Sequence, residues 1–349
     1  EFVSLKTSNQ GLPDQDRLTH LLAKEGDDLT LYFTTSERIA GVDETTSTTT
    51  LKPIVEFKAG TDKVFEAIVS RDTLATDSQN VDSQHKGLHW KAVINIDPST
   101  DTNFSDLESD LGFTVKILDP AGNEYSASDT ASSMPKPQDD EGQELTARID
   151  TQVPEVDFVS LETSNDGVTD QSRPNHLLAK EGDNLTLYFR TTERIAGVDE
   201  TVTNSLLEPI VEFKAGKDKV FKATVSRDSV PVDSETDESL HKGLHWKAVI
   251  NIDPTKDTNF SELESDLGFT VKILDPSGNE YSAADNASSM PKPRDENDQK
   301  LTARIDTKAP DLSSISFETD NDGMTDTSRD TTFLAKEGDT LTLRFQTRE

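Results

Sequence analysis

The chain has 349 residues, with 67 aspartates and glutamates against 35 lysines and arginines, a formal net charge of −32 and no cysteine. So acidic a surface repels nucleic acid and anionic membranes and attracts cations, divalent ones most. No run of 18 apolar residues predicts a membrane-spanning helix, and the hydrophobic content of 32% is low but patterned, unlike a disordered chain.

In chain order, the apolar residues recur with a period of two, the signature of half-buried strands. Phe2–Leu5 predicts the first. Leu29, Leu31 and Phe33 then alternate with Thr30, Tyr32 and Thr34. Val55 and Phe57, then Phe65, Ala67 and Val69, continue the inward set. Trp90, Ala92, Ile94 and Ile96 follow, then Phe113, Val115 and Ile117, and last Leu145, Ala147 and Ile149. About seven alternating strands of this kind predict an antiparallel β-sandwich with one wet face per sheet. One segment breaks the pattern. Ser105-Asp106-Leu107-Glu108 reads as a capping box and predicts one or two turns of helix before Phe113. The polar, proline-containing Ala127–Glu144 reads as a surface loop.

The same order then starts again. Residues 1–156 align without a gap on 157–312, with roughly seven positions in ten identical, so the chain is a repeat array. A third copy begins at 313 and runs to 349 with only the first two strands. The expected domains are therefore 1–156, 157–312 and a partial third repeat, 313–349, in the manner of a window on a longer array. No signal-peptide pattern opens the chain, which in such a window carries no information on secretion. The copies also test the faces. Tyr32 becomes Arg344, Glu66 becomes Lys222 and Ile68 becomes Thr224, while the inward set persists.

Several stretches resemble bacterial immunoglobulin-like surface repeats. Leu22-Ala23-Lys24-Glu25-Gly26-Asp27 with the following strand and Glu37 is similar to the family's second strand. Pro53–Phe57 is similar to its third and His89–Ala92 to a middle strand. Asp119-Pro120-Ala121-Gly122-Asn123 resembles its Asp-x-x-Gly-Asn turn, and Arg148–Thr151 with Pro154 its domain-closing joint. The resemblance implies tandem immunoglobulin-like antiparallel sandwiches, arranged as beads on a rod, in extracellular adhesins, stalks and matrix proteins often stiffened by calcium. The repeat is longer than the family's, and the added residues fall at Thr45–Leu51, Thr73–Gln84, Asp97–Asp110 and Ala127–Glu144.

In an immunoglobulin topology the joint Asp150–Asp157 meets the turn Asp275–Asn279 and the loop Glu193–Glu200 at one pole of the second repeat. Asp150, Glu155, Asp157, Glu193, Asp199, Asp275 and Asn279 are hard oxygen donors that suit Ca²⁺, and Asp306 and Asp311 occupy the next joint. The plain alternative is a solvated acidic loop. Asn165-Asp166-Gly167 through Asp170 reads as turn chemistry, without EF-hand spacing. His85 and His89, repeated as His241 and His245, have zinc-like i, i+4 spacing only in a helix, which this segment is not. Trp90 and Trp246 could stack on sugars, but their phase with Ala92 and Ala248 places them in the core. No Gly-x-Ser-x-Gly, Cys–His pair or phosphate loop points to an enzyme, and Glu108 with Asp110 is an unremarkable acidic pair in so acidic a chain. The sequons at Asn103, Asn184, Asn259 and Asn286 are incidental in a bacterial protein.

The expected function is structural: a spacer repeat of an extracellular, cell-surface fibre, stalk or adhesin, stiffened by cations at its joints. The alternative is a ligand-binding repeat that takes sugar or protein on its inserted loops. Expected partners are neighbouring repeats and other copies in a fibre, with no nucleic acid and no direct membrane insertion. Near-identical repeats interact with nearest neighbours only, which suits a spacer better than a catalyst. The loop Thr45–Thr50 differs between copies, which argues against it as a binding site, whereas Ala131–Pro137 is identical in both.

Overall fold

The computed structural model describes residues 3–9, 19–36, 53–72, 89–119, 121–139, 141–166, 173–193, 209–228, 245–295, 297–322, 328 and 332–348. The architecture is all-β. The first repeat contains β1 (Val3–Thr7), β2 (His20–Ala23), β3 (Asp28–Thr34), β4 (Ile54–Ala59), β5 (Lys63–Glu66), β6 (Ile68–Arg71), β7 (His89–Asn95), β8 (Glu108–Leu118), β9 (Glu124–Ser128) and β10 (Thr146–Asp150). One sheet has the order β1-β3-β7-β6. The other has the order β2-β10-β8-β4-β5, with β9 also on β8. All pairs are antiparallel except β2–β10, which is parallel.

The second repeat reproduces this as β11 (Val156–Thr163), β12 (His176–Ala179), β13 (Asn184–Thr191), β14 (Ile210–Ala215), β15 (Lys219–Lys222), β16 (Thr224–Arg227), β17 (His245–Asn251), β18 (Glu264–Leu274), β19 (Glu280–Ala284) and β20 (Thr302–Asp306). A hairpin of β21 (Leu312–Thr319) and β22 (Leu341–Thr347) follows.

Period-two patterning places the core. Leu29 and Leu31 are fully buried and Phe33 nearly so, and they face Val55, Phe57, Phe113 and Ile149 within one cluster. A second, separate cluster built from the equivalent residues runs from Val156 to Ile305. Trp90 and Trp246 lie inside these cores, so neither offers a face to a sugar.

Three expectations need correction. Each repeat has ten strands among the described residues, against an expected seven or so. The stretch from Val64 to Ser70 is two strands on different sheets. β5 pairs with β4, β6 pairs with β7, and the chain crosses at Ala67, whose N–H donates to the Val55 carbonyl at 2.8 Å. Alternation hides the crossing because Phe65, Ala67 and Val69 all point between the sheets. The capping-box helix does not form. A single 3-10 turn, Thr102–Phe104, precedes Ser105, with Asp101 accepting from the Asn103 N–H. Asp106 takes φ +46°, which ends any helix, and Glu108 already belongs to β8.

The segment Ala127–Glu144 is more than a surface loop. β9 and β10 share one edge of β8, pairing with Thr114–Leu118 and Glu108–Leu111 respectively, so the segment interrupts what would otherwise be one strand. Met134 and Met290 plug it into the two cores. The Tyr125 hydroxyl donates to Ser133 O at 3.2 Å, and Tyr281 donates to Ser289 O at 3.0 Å. Packing thus accounts for the identity of Ala131–Pro137 in both copies.

One difference between the copies carries a prediction. Glu56 stands opposite Glu66 across β4 and β5, whereas Glu212 stands opposite Lys222 across β14 and β15. Like charges directly opposed are destabilising, so Glu66→Lys is expected to stabilise the first repeat by about 0.2–1 kcal/mol. Urea midpoints check this, and an unchanged or lowered midpoint refutes it.

Candidate metal centre

The joint between the repeats is built from three strand ends. β10 ends on Asp150, which is paired with Glu108 at the start of β8. β13 ends at Thr191, two residues before Glu193. The turn Asp275–Asn279 connects β18 to β19. Antiparallel order brings the last two to the pole of the second repeat that faces the end of the first.

The connection itself is held at both ends. The Thr151 N–H donates to Leu107 O at 2.8 Å, and the Leu107 N–H donates to Thr151 Oγ1 at 2.9 Å. Gln152 Nε2 donates to Asp106 O at 3.2 Å. On the far side, Thr192 N–H donates to Glu155 O at 2.9 Å and Glu155 N–H to Thr192 Oγ1 at 3.2 Å. Only Val153 and Pro154 lie between these clamps, and Pro154 is buried with its φ fixed by its ring.

Carboxylates converge here. Glu108, Asp150 and Glu193 each place one oxygen so that the three lie within 4.8 Å of one another. Asp275, fully buried, stands close enough for its charge to raise Asp150. Asp150 is 5% exposed; its Oδ2 accepts from Ser277 Oγ at 3.3 Å and its Oδ1 from the Gln152 N–H at 3.1 Å. Burial, and then the charge of Asp275, push Asp150 up to about 7. Burial, then the charges of Asp150, Asp275 and Glu108, push Glu193 up to about 8, against the opposing pull of Arg148. Burial also raises Asp275, although Asn279 hydrogen-bonds its charged form. Arg148 is the local counter-charge, paired with Glu108 and, at 3.2 Å, with Asp110.

The donor set fits a hard cation. Calcium binds oxygen at about 2.3–2.6 Å, so two oxygens on one ion are at most about 5 Å apart, which the three carboxylates satisfy. Glu108, Asp150 and Glu193 would hold the ion, and Asp275 adds negative charge behind them.

Of the expected ligands, the joint gathers Asp150, Glu193, Asp275 and Asn279. Asp157 is placed elsewhere. Arg190 grips it with two nitrogens, Nε to Oδ1 at 2.9 Å and Nη2 to Oδ2 at 2.8 Å. Glu155 is exposed and is engaged through its backbone. Asp306, the counterpart of Asp150, is half-buried and accepts from the Lys308 N–H at 3.1 Å; Asp311 is exposed. Asp199, His85, His241 and Gly167–Asp170 lie outside the described residues. Glu108, set aside in the sequence as an ordinary acidic residue, joins the gathered ligands, and so does Asn9, whose Nδ2 donates to the Ser277 carbonyl and which the sequence did not single out. The signal for Glu108 was its recurrence as Glu264, but only strand pairing sets it beside Asp150.

No family model and no curated protein matches the chain. Among solved structures it is similar to a Ca²⁺-stabilized adhesin that helps an Antarctic bacterium reach out and bind ice. That likeness has 11% identity, a TM-score of 0.33, and covers 91% of this chain and 52% of that one. It is also similar to a structure concerning host cell surface retention of a 1.5-MDa bacterial ice-binding adhesin, at 10% identity, TM-score 0.32, and 91% and 68% coverage. The chain thus spans about half the length of the first of these.

Proposed function

We propose that this chain is a spacer segment of a bacterial extracellular fibre, stalk or adhesin, built of immunoglobulin-like repeats and stiffened by calcium at its joints. The observation that supports this most is the joint itself, where four carboxylates from two sandwiches meet around a connection clamped on both sides. The proposed role is mechanical and electrostatic rather than catalytic. Neighbouring repeats are the proposed partners, and each repeat, bounded near Val156 and Leu312, is the proposed folding unit.

Without a cation the facing charges repel at roughly 1–4 kcal/mol per close pair, depending on exposure. A bridging Ca²⁺ reverses the sign. Extracellular modules bind calcium at about 0.1–1 mM, so the joint is expected to be closed in calcium-rich media. Small-angle scattering of this chain at pH 8.5 tests the reading. The maximum dimension is expected to be larger and better defined in calcium than in chelator, with slower proteolysis between Thr151 and Asp157. Identical scattering and cleavage in both conditions would sink the calcium role.

A further inference from the structure

We infer that the turn Asp275–Asn279 is a docking plug whose partner is the C-terminal pole of a repeat of this same kind, and that this lock orients the two repeats without any cation. The first repeat supplies the comparison, because its equivalent turn, Asp119–Asn123, carries no docked repeat among the described residues. In both turns the aspartate accepts from the asparagine N–H at 2.8 Å, and the asparagine Nδ2 returns to the other carboxylate oxygen, at 2.6 Å for Asn123 and 2.7 Å for Asn279. Gly122 and Gly278 take φ +91° and +87°. The turn is therefore folded before anything docks on it, and docking costs it little ordering.

What differs is the surroundings. Asn123 is exposed and Asn279 is buried; Tyr125 is 38% exposed and Tyr281 8%. The docked turn makes three added contacts with the first repeat. Asn279 Nδ2 donates a second bond, to the Asp150 carbonyl, at 2.9 Å. Ser277 Oγ donates to Asp150 Oδ2 at 3.3 Å, where the first repeat has Ala121. Asn9 Nδ2 donates to the Ser277 carbonyl at 2.9 Å. The Lys24 stem packs over Gly278, 3.5 Å from where a Cβ would stand, which is ordinary contact distance; the positive φ, not this contact, asks for glycine there. These contacts come from Asn9 just past β1, the β2–β3 turn and the end of β10, all at one end of the first repeat. The second repeat carries their counterparts Asn165, Lys180 and Asp306.

The chain has no cysteine, so Ser70→Cys and Ser226→Cys, exposed equivalents on β6 and β16, give a spin-label pair across the joint. Distance distributions are measured in chelator at pH 5, where Asp150 and Glu193 hold their protons, which keeps this test separate from the calcium reading. The parent and Asn123→Asp are expected to give one narrow distance. Asn279→Asp is expected to lose it, as is the pair Asn9→Ala with Ser277→Ala, which leaves the turn's own bonds intact. If both Asn279→Asp and the double variant stay as narrow as Asn123→Asp, the plug is wrong. If the parent is narrow only in calcium, the cation alone sets the orientation and the plug is equally wrong.

Discussion

Replacing Leu187 by alanine is expected to cost the second repeat about 3–5 kcal/mol, while the same change at Leu343 costs nothing measurable. The two residues hold one position in the repeat, at the middle of β13 and of β22, inside nearly identical sequence. Leu187 is fully buried between two sheets. Leu343 is 51% exposed, and Leu341 and Phe345 beside it are 57% and 63% exposed, because among the described residues β21 and β22 form a two-stranded sheet with no second sheet over it. A two-stranded hairpin is marginal in water, so a peptide of residues 313–349 is also expected to lack a cooperative transition. Urea unfolding of the two variants, followed by tryptophan fluorescence and far-UV circular dichroism, decides. Equal costs at the two sites would show that the hairpin's apolar face is covered.

In chelator, the joint is expected to be most firmly closed near pH 4 and to loosen steadily as pH rises from there to about 8, the value to which Glu193 is pushed up. The sign follows from the shifts. Asp150 and Glu193 have folded-state values raised well above ordinary carboxylates, so the folded joint favours their protonated forms. Near pH 4 both states hold those protons and no penalty exists. The penalty grows once the undocked groups ionise and is complete above about pH 8. Calcium is expected to remove this loosening at high pH and to bind less tightly at pH 6, where protons occupy its ligands. Asp150→Asn should flatten the chelator profile. Asp119→Asn should leave it unchanged, since Asp119 lies away from the joint and hydrogen bonds from the Asn123 side chain and backbone lower its value, so it stays charged across this range. The midpoint and scattering dimension, followed from pH 4 to 9, check this; a flat profile in the parent chain would refute it.

Much of the fold was legible because a two-sheet core imposes period-two burial, which Leu29, Leu31 and Phe33 display and the copies confirm by varying only the outward residues. The crossing at Ala67 was not legible, since its inward phase is the same on either sheet. The helix expectation at Ser105 failed because a capping-box pattern states a local preference, whereas Glu108 gains a strand partner in β10. The joint was legible as far as topology assigns loops to poles, which brought Asp150, Glu193, Asp275 and Asn279 to one place. Asp157 was misplaced because nothing in its immediate sequence shows that Arg190 lies across the β11–β13 pair. Glu108 was set aside as an unremarkable acidic residue because its neighbour Asp150 is 42 positions away and only the β8–β10 register joins them.

The parallel pairing of β2 with β10, and of β12 with β20, bears on what happens when such a chain is pulled from its two ends. The N-terminal end of β2 lies toward one pole, and the C-terminal end of β10 leaves at the other. Tension that passes from β2 to β10, once β1 has carried its share against β3, drags these two strands past each other along their length. Their ladder, from His20–Thr146 to Ala23–Ile149, is strained all at once in shear and cannot be peeled open one bond at a time. Side chains tie the same strands crosswise. His20 Nδ1 shares a hydrogen bond with Thr146 Oγ1 at 3.0 Å, and His176 Nδ1 shares one with Thr302 Oγ1 at 2.5 Å. The geometry thus resists stretching along the array most strongly where the strand bonds run crosswise to the pull.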